Sequence, residues 1–320
     1  MNARARRVGG VALTVALAAL LVVFGRHVQW GTVAGAMRDA DPALLALAVV
    51  LNLLSLALKA LRWWVFLLPL GVRSPWLVLQ ATFAGASLNN LVVAQGGEVA
   101  RVMLVSRGSG VASARVLSAL SVERLLDALC YLLLLVGATW LLNVGGALMR
   151  WRGIATAVVC ACTVGMIALL FLAARRRKRG STQDLTSPSP SRGRIASFGQ
   201  RFLSGAAESA NVPRIMLGLL LSLAAWALQV ATYHLVALAA HLPLPLAGSI
   251  AAMLTVGVSF LIRATPGNVG VFQAAYALTV APFGISQSAA VAVALLIQAV
   301  QVLPVLGIGM GIGVRRTVGR

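Results

Sequence analysis

The chain of 320 residues is 60% hydrophobic, with a mean hydropathy of +0.92. That lies above the roughly 45–50% apolar usage of soluble domains and excludes a soluble globular protein. The formal charge of +20 falls in clusters between apolar runs, as the positive-inside rule produces, and not on one coherent basic face that would read nucleic acid.

This length allows about eight to ten spans of roughly 20 residues each, plus loops. The basic start Met1–Arg7 and the apolar run Val8–Phe24 resemble a signal peptide. The run is long and has no small-residue cleavage pattern, so it reads as an uncleaved first span over about 8–25. A second span covers about 43–58, extending toward 70, and returns to the basic side at Lys59, Arg62 and Arg73, where Trp63 and Trp64 suit an interfacial belt.

The stretch 76–100 differs. It carries Gly85, Ser87, Asn89, Asn90, Gln95, Gly96, Gly97 and Glu98 and has basic residues on both flanks. A straight span would place Arg101, Arg107 and Arg115 on the wrong side, which a re-entrant or broken helix avoids. Such backbone is tolerated only where protein or a cavity covers it. A long span follows at about 116–142, with Glu123, Arg124 and Asp127 near its start, and another at about 153–174 that ends in Arg175–Arg179.

Residues 175–212 are polar, arginine-rich and low in complexity, and read as a disordered cytoplasmic linker. It separates a first membrane half, 1–174, from a second, 213–320. The second half offers spans near 213–240, 248–263, 268–283 and 286–312. The third of these opens with Thr265-Pro-Gly-Asn-Val-Gly270. The expected fold is an all-α polytopic membrane protein of about eight transmembrane helices plus a re-entrant or broken helix, with structurally related halves an open alternative. Glycine-interrupted segments in both halves are the sequence signature of a transporter's binding site. The inner membrane, with both termini cytoplasmic, is the expected location.

Only seven acids occur in the chain, and three of them, Glu98, Glu123 and Asp127, lie in or against apolar stretches beside Arg101 and Arg124. An ionised side chain at the bilayer centre costs at least ~2.5–3.5 kcal/mol, so such residues face a protein interior or a watery cavity and mark working sites. On a helix Glu123 and Asp127 share a face, and two carboxylates so placed need a cation between them or a proton on one. Arg101 is the natural partner. Three acids against two bases leave one negative charge, to be met by a proton or by a further cation such as Arg263. The cluster reads equally as an ion-pair network pinning two segments together and as the lining of a groove for a polar headgroup. Around Pro266, a helix start would present the free amides of Gly267, Asn268 and Gly270 to a phosphate, with Arg263 as a planar fork. The bland alternative is a tight loop with an interfacial arginine.

Cys130, Cys160 and Cys162 sit in apolar stretches as small hydrophobes, and His27, His234 and His241 have no ligand-like spacing. No metal, cofactor or catalytic residue is expected. There is no nucleophile–base pair and no phosphate loop.

The order Asn89-Asn90, Gly96-Gly97-Glu98, Arg101, then Ser121-Val-Glu-Arg124 and Asp127, then Thr265-Pro-Gly-Asn-Val-Gly270 resembles the flippase-like membrane family typified by the transmembrane region of lysylphosphatidylglycerol synthase. The resemblance covers about residues 10–312. It implies movement of a lipid between leaflets, the lipid being a phospholipid, glycolipid, polyprenyl lipid or hopanoid. With no synthase domain expected here, it implies no aminoacyl transfer. Two positions depart from the family pattern: Gln95, where Gly or Pro is common nearby, and Gln273, where a glutamate often follows. The function expected is therefore a lipid flippase or transporter whose partner is a membrane lipid. The alternatives are a non-transporting scaffold that presents lipid to a cytoplasmic glycosyl- or acyltransferase, docked on the 175–201 loop, and an ion-coupled transporter of small solutes.

Overall fold

A computed structural model of the chain describes residues 28–91, 96–141, 194–209, 211–260 and 268–318, with a few isolated positions besides. Among the described residues the regular structure is all helical. In chain order the elements are α1 (Trp30–Arg38), α2 (Pro42–Leu67) with a 3-10 turn at Leu68–Leu70, α3 (Pro75–Leu91), α4 (Gly96–Ser109), α5 (Ser113–Leu141), α6 (Arg194–Ser209), α7 (Val212–Ala239), α8 (Leu246–Ser259), α9 (Val271–Val280) with a 3-10 turn at Ala281–Phe283, and α10 (Gln287–Val318). Pro42–Leu70, Val212–Ala239 and Gln287–Ile312 are each long and apolar enough to cross a membrane. These match three of the spans expected from the sequence, and the all-α membrane fold stands. The expected spans at 8–25 and 153–174 lie almost wholly outside the described residues.

The arms of α3 and α4, 17 and 14 residues, reach about 25 and 21 Å, short of a ~30 Å hydrocarbon core. They run antiparallel. A Cβ on Gly108 would stand 2.8 Å from Leu77, and one on Gly85 would stand 2.3 Å from Arg101 Cγ and 2.7 Å from the Gly97 carbonyl. The second arm thus returns toward the side from which the first began, which is the geometry a broken element at 76–100 requires.

A second hairpin, α8–α9, has arms of 14 and 10 residues. Phe260 meets Phe272 edge to face at 6.2 Å between ring centroids, and a Cβ on Gly248 would lie 3.3 Å from Phe283. Two short hairpins therefore stand where the sequence suggested one broken helix at 76–100 and two spans near 248–263 and 268–283.

Two compact units form, interleaved along the chain. One comprises residues 28–53, 87–91, 229–260 and 268–307 of those described; the other comprises 54–86, 96–141, 194–209, 211–228 and 308–318. In the first, Pro304 inside α10 removes the amide that would bond the Val300 carbonyl. Asn52 Nδ2 donates to that carbonyl instead, at 3.4 Å, and Ser87 Oγ donates to the Val305 carbonyl at 2.7 Å. α1, which the sequence did not suggest, packs together with the residues just before it, Val33 of the helix and Val28 ahead of it lying on Val291 and Ala292, and the Gln29 amide donates to Ser288 Oγ.

The second unit has its own core: Trp63, Phe66 and Leu67 of α2, Val78 and Ala81 of α3, Val102 and Val105 of α4, Val116, Ala119, Leu120 and Leu126 of α5, and Ile215 of α7. Within the stretch expected to be a disordered linker, Arg194–Ser209 is helical. A Cβ on Gly205 would lie 2.4 Å from Ser118 Oγ, so α6 seats closely on α5. Arg115 pairs with Glu208, and Ser209 Oγ donates to the Phe66 carbonyl at 3.0 Å. The low apolar content of 175–212 as a whole conceals the short amphipathic run Ile195, Phe198, Phe202, whose i, i+3, i+7 spacing makes one helix face.

Candidate functional site

Four of the five helices that form the second unit's core bring one polar constellation together. Arg62 comes from α2, Glu98 and Arg101 from α4, Glu123, Arg124 and Asp127 from α5, and Ser222 from α7. The close approach of α7 depends on Gly218, where a Cβ would lie 2.5 Å from the Phe66 ring. One turn later Ser222 donates to the Gly218 carbonyl and receives Arg62 Nη1 at 2.5 Å. Close approach of α4 to α3 depends in the same way on Gly85, against which the Arg101 stem lies.

The guanidinium of Arg62 is the hub. Its Nη1 donates to Asp127 Oδ1 at 2.6 Å, and its Nη2 donates to Asp127 Oδ2 and to Glu123 Oε1, both at 2.9 Å. Glu123 Oε2 accepts from Arg101 Nη2 at 3.2 Å. Arg101 Nη1 lies 3.8 Å from Glu98 Oε2, Glu98 Oε1 accepts from Arg124, and Arg124 Nη1 lies 3.8 Å from Asp127 Oδ2. The path Arg62–Glu123–Arg101–Glu98–Arg124–Asp127 returns to Arg62. It is a closed ring of alternating charge, three arginines and three carboxylates.

The ring has a dry side and an open side. Arg62 is 0% exposed and Glu123 2%, whereas the Arg124 side chain is 50% exposed. Arg101 also stacks its guanidinium over Trp63 at 4.3 Å and touches Thr82 at 3.5 Å. Bidentate, charge-assisted contacts of the Arg62 kind fix geometry as well as add attraction. Opposite charges met in this way let carboxylates persist where water is scarce.

All five charged residues singled out in 98–127 therefore lie in one network. The sixth member is Arg62, which the sequence marks only as a basic boundary of the second span. Its presence removes the expected surplus negative charge, so neither Arg263 nor a bound proton is needed to balance the ring. The signal was available in Lys59 and Arg62, three apart and flanked by apolar residues on both sides, as costly in a span as the acids were.

Of the second candidate cluster, Arg263 and Gly267 lie outside the described residues. Asn268 is buried in a left-handed conformation at φ 57°, and its Nδ2 donates to Ser259 O and Oγ, both at 3.3 Å. The Gly270 amide is not free for a phosphate, because it donates to Gln273 Oε1 at 2.6 Å. Gln273 Nε2 in turn donates to Gln298 Oε1 at 2.7 Å, which gives this neutral residue a bridging place that a glutamate could not fill in the same way. Among the described residues no group of histidines, cysteines and carboxylates could hold a metal ion.

The model of the lysylphosphatidylglycerol synthase TM region matches residues 10–309. The chain belongs to that family. A lysylphosphatidylglycerol synthase TM region is a membrane region, and membership makes this a multi-pass membrane protein related to lipid modification or transport. No curated protein matches the chain.

Proposed function

We propose that this protein binds the polar headgroup of a membrane lipid beside the charged ring and carries it between the leaflets while the tails stay in the bilayer. The observation that carries the reading is the ring itself, placed at the Gly96 end of a hairpin too short to span. Ionisable groups in membrane segments face the interior or a watery path and accompany substrate routes. Transporter sites gather where helices are broken. Arg62, Glu123 and Arg101 form the fixed, dry side. Glu98, Arg124 and Asp127 form the side that opens, because Arg124 is half exposed and its link to Asp127 is a single 3.8 Å contact. Arg263, with Gly267 and Asn268, supplies a phosphate contact at the second hairpin, while the Gly270 amide stays with Gln273. The protein sits in the inner membrane with both termini cytoplasmic, as the arginine distribution favours, and acts without catalytic residues of its own.

The direct test reconstitutes the full chain in proteoliposomes and follows transbilayer movement of labelled lipids of several headgroup classes. Faster movement than in empty vesicles, reduced by Arg124→Ala, is expected. No acceleration across the whole panel overturns the reading.

A second reading has one supporting observation: α6 anchors part of the arginine-rich stretch on α5 through Gly205 and the Arg115–Glu208 pair. It would make the protein a platform that presents lipid to a cytoplasmic lipid-modifying enzyme. Deleting 181–190, which leaves α6 in place, separates the two, since only the platform reading loses function.

A further inference from the structure

The ring balances itself, but one cation beside it does not take part. Lys59 lies on α2 three residues before Arg62, on the same face of the helix. About 12 Å of helix separate it from Leu67. Among the described residues no carboxylate comes within ion-pair distance of its ammonium. Its nitrogen instead lies over the Trp226 ring, 5.4 Å from the centroid, and Trp226 packs on Tyr131, 5.5 Å between centroids. Tyr131 is one turn beyond Asp127 on α5. The Trp226 indole N–H is buried and has no acceptor. Counting Lys59, four cations stand against three carboxylates in this patch, and the surplus is one positive charge. An unbalanced ammonium in an apolar span is costly. A cation–π contact compensates part of this but brings no negative charge.

We propose that Lys59 is the binding point for one phosphate-type negative charge, with the Trp226 N–H as a second donor and the ring as its wall. The two groups proposed to hold the ligand are both donors: an ammonium has three N–H groups and no acceptor, and indole donates only. A ligand group with a single negative charge and several acceptor oxygens completes the patch and brings it to neutrality, which a phosphodiester does. A neutral sugar or a cationic headgroup does not. Lysine suits such a group as a point charge. The inference rests on the headgroup reading above and narrows it to anionic lipids. The same chemistry is also offered by free phosphate.

The test measures binding to the purified full chain in detergent, by native mass spectrometry, with three probes: short-chain phosphatidylglycerol, short-chain phosphatidylcholine and inorganic phosphate. Phosphatidylglycerol is expected to bind about tenfold more tightly than phosphatidylcholine, whose own cation offsets its phosphate, and that margin disappears in Lys59→Gln and survives in Lys59→Arg. Competition by inorganic phosphate assigns the site to the free anion, and absence of competition assigns it to the lipid. Equal binding of the two lipids, or a margin unchanged in Lys59→Gln, overturns the proposal. Should Lys59→Gln not fold, Trp226→Phe decides, since it keeps a ring beneath the ammonium and removes the N–H. An unchanged margin there also overturns it. Anion binding without accelerated transfer leaves this inference standing and removes only the transport reading, and transfer without anion preference does the reverse.

Discussion

Arg62 grips Asp127 end to end, Nη1 on Oδ1 and Nη2 on Oδ2, and the same guanidinium reaches Glu123. One side chain from α2 thereby bridges two carboxylates stacked a turn apart on α5, which would otherwise repel each other. Removing one partner of a buried pair leaves the other charge uncompensated, at about 3–5 kcal/mol. Arg62→Leu is expected to cost about that much in thermal or denaturant melting in detergent. Arg62→Lys should fall between, because an ammonium cannot reproduce the planar fork. A variant as stable as the parent would show that the ring is not a structural clamp.

Arg124 supplies the contrast. It closes the same ring but is half exposed, and exposed ion pairs are worth about 0–1 kcal/mol. Arg124→Ala should therefore change stability by less than about 1 kcal/mol while reducing lipid movement in vesicles. Loss of both together would place Arg124 with Arg62 as a fold residue.

Gly85 and Gly96 make a second matched pair. A methyl group on Gly85 would collide with the Arg101 stem and the Gly97 carbonyl, whereas one on Gly96 meets nothing within 4 Å. Overpacking of this kind costs about 1–3 kcal/mol. Gly85→Ala is expected to lower stability by that amount and to pull Arg101 away from Glu123. Gly96→Ala should be close to neutral. The two melting curves check both halves of the statement.

How far the sequence disclosed this arrangement depended on what each residue's rarity announced. Glu98, Glu123 and Asp127 stood out because acids are scarce in the chain, and Gly85 through Gly97 stood out because a straight span would have violated the charge rule. Arg62 did not stand out, since one more arginine in a chain rich in them reads as a boundary marker. Its role depends on the fold bringing α2 against α5, which no local pattern encodes. Gln273 was equally opaque, because a neutral side chain gives no charge signal, and its partners, Gly270 and Gln298, were only partly local. The helix Arg194–Ser209 was hidden by composition averaged over a long polar stretch. Its seating on α5, through Gly205 against Arg115 and Ser118, is a tertiary contact that composition does not show.

Gln273 bridges the Gly270 amide and Gln298 in a buried setting. Gln273→Leu leaves the amide and a buried carboxamide without these partners, at about 1–3 kcal/mol for each group left unsatisfied. Hydrogen exchange should show faster opening of the first turn of α9 in the variant. Exchange unchanged from the parent would mean that water or the neighbouring chain replaces the glutamine.

Pro304 and Asn52 form a coupled pair across α10 and α2. The proline withholds the amide that would bond Val300 O, and Asn52 Nδ2 stands in for it at 3.4 Å. Polar contacts between membrane helices average about 0.6 kcal/mol and reach about 1.7. Asn52→Ala should cost an amount in that range while Pro304 is present, because the carbonyl is then left bare. In the Pro304→Ala background the backbone amide of residue 304 is restored and bonds Val300 O itself, so Asn52→Ala should cost markedly less. A double-mutant cycle reads the difference directly. Equal costs in the two backgrounds would mean that the asparagine does not act as the proline's substitute donor.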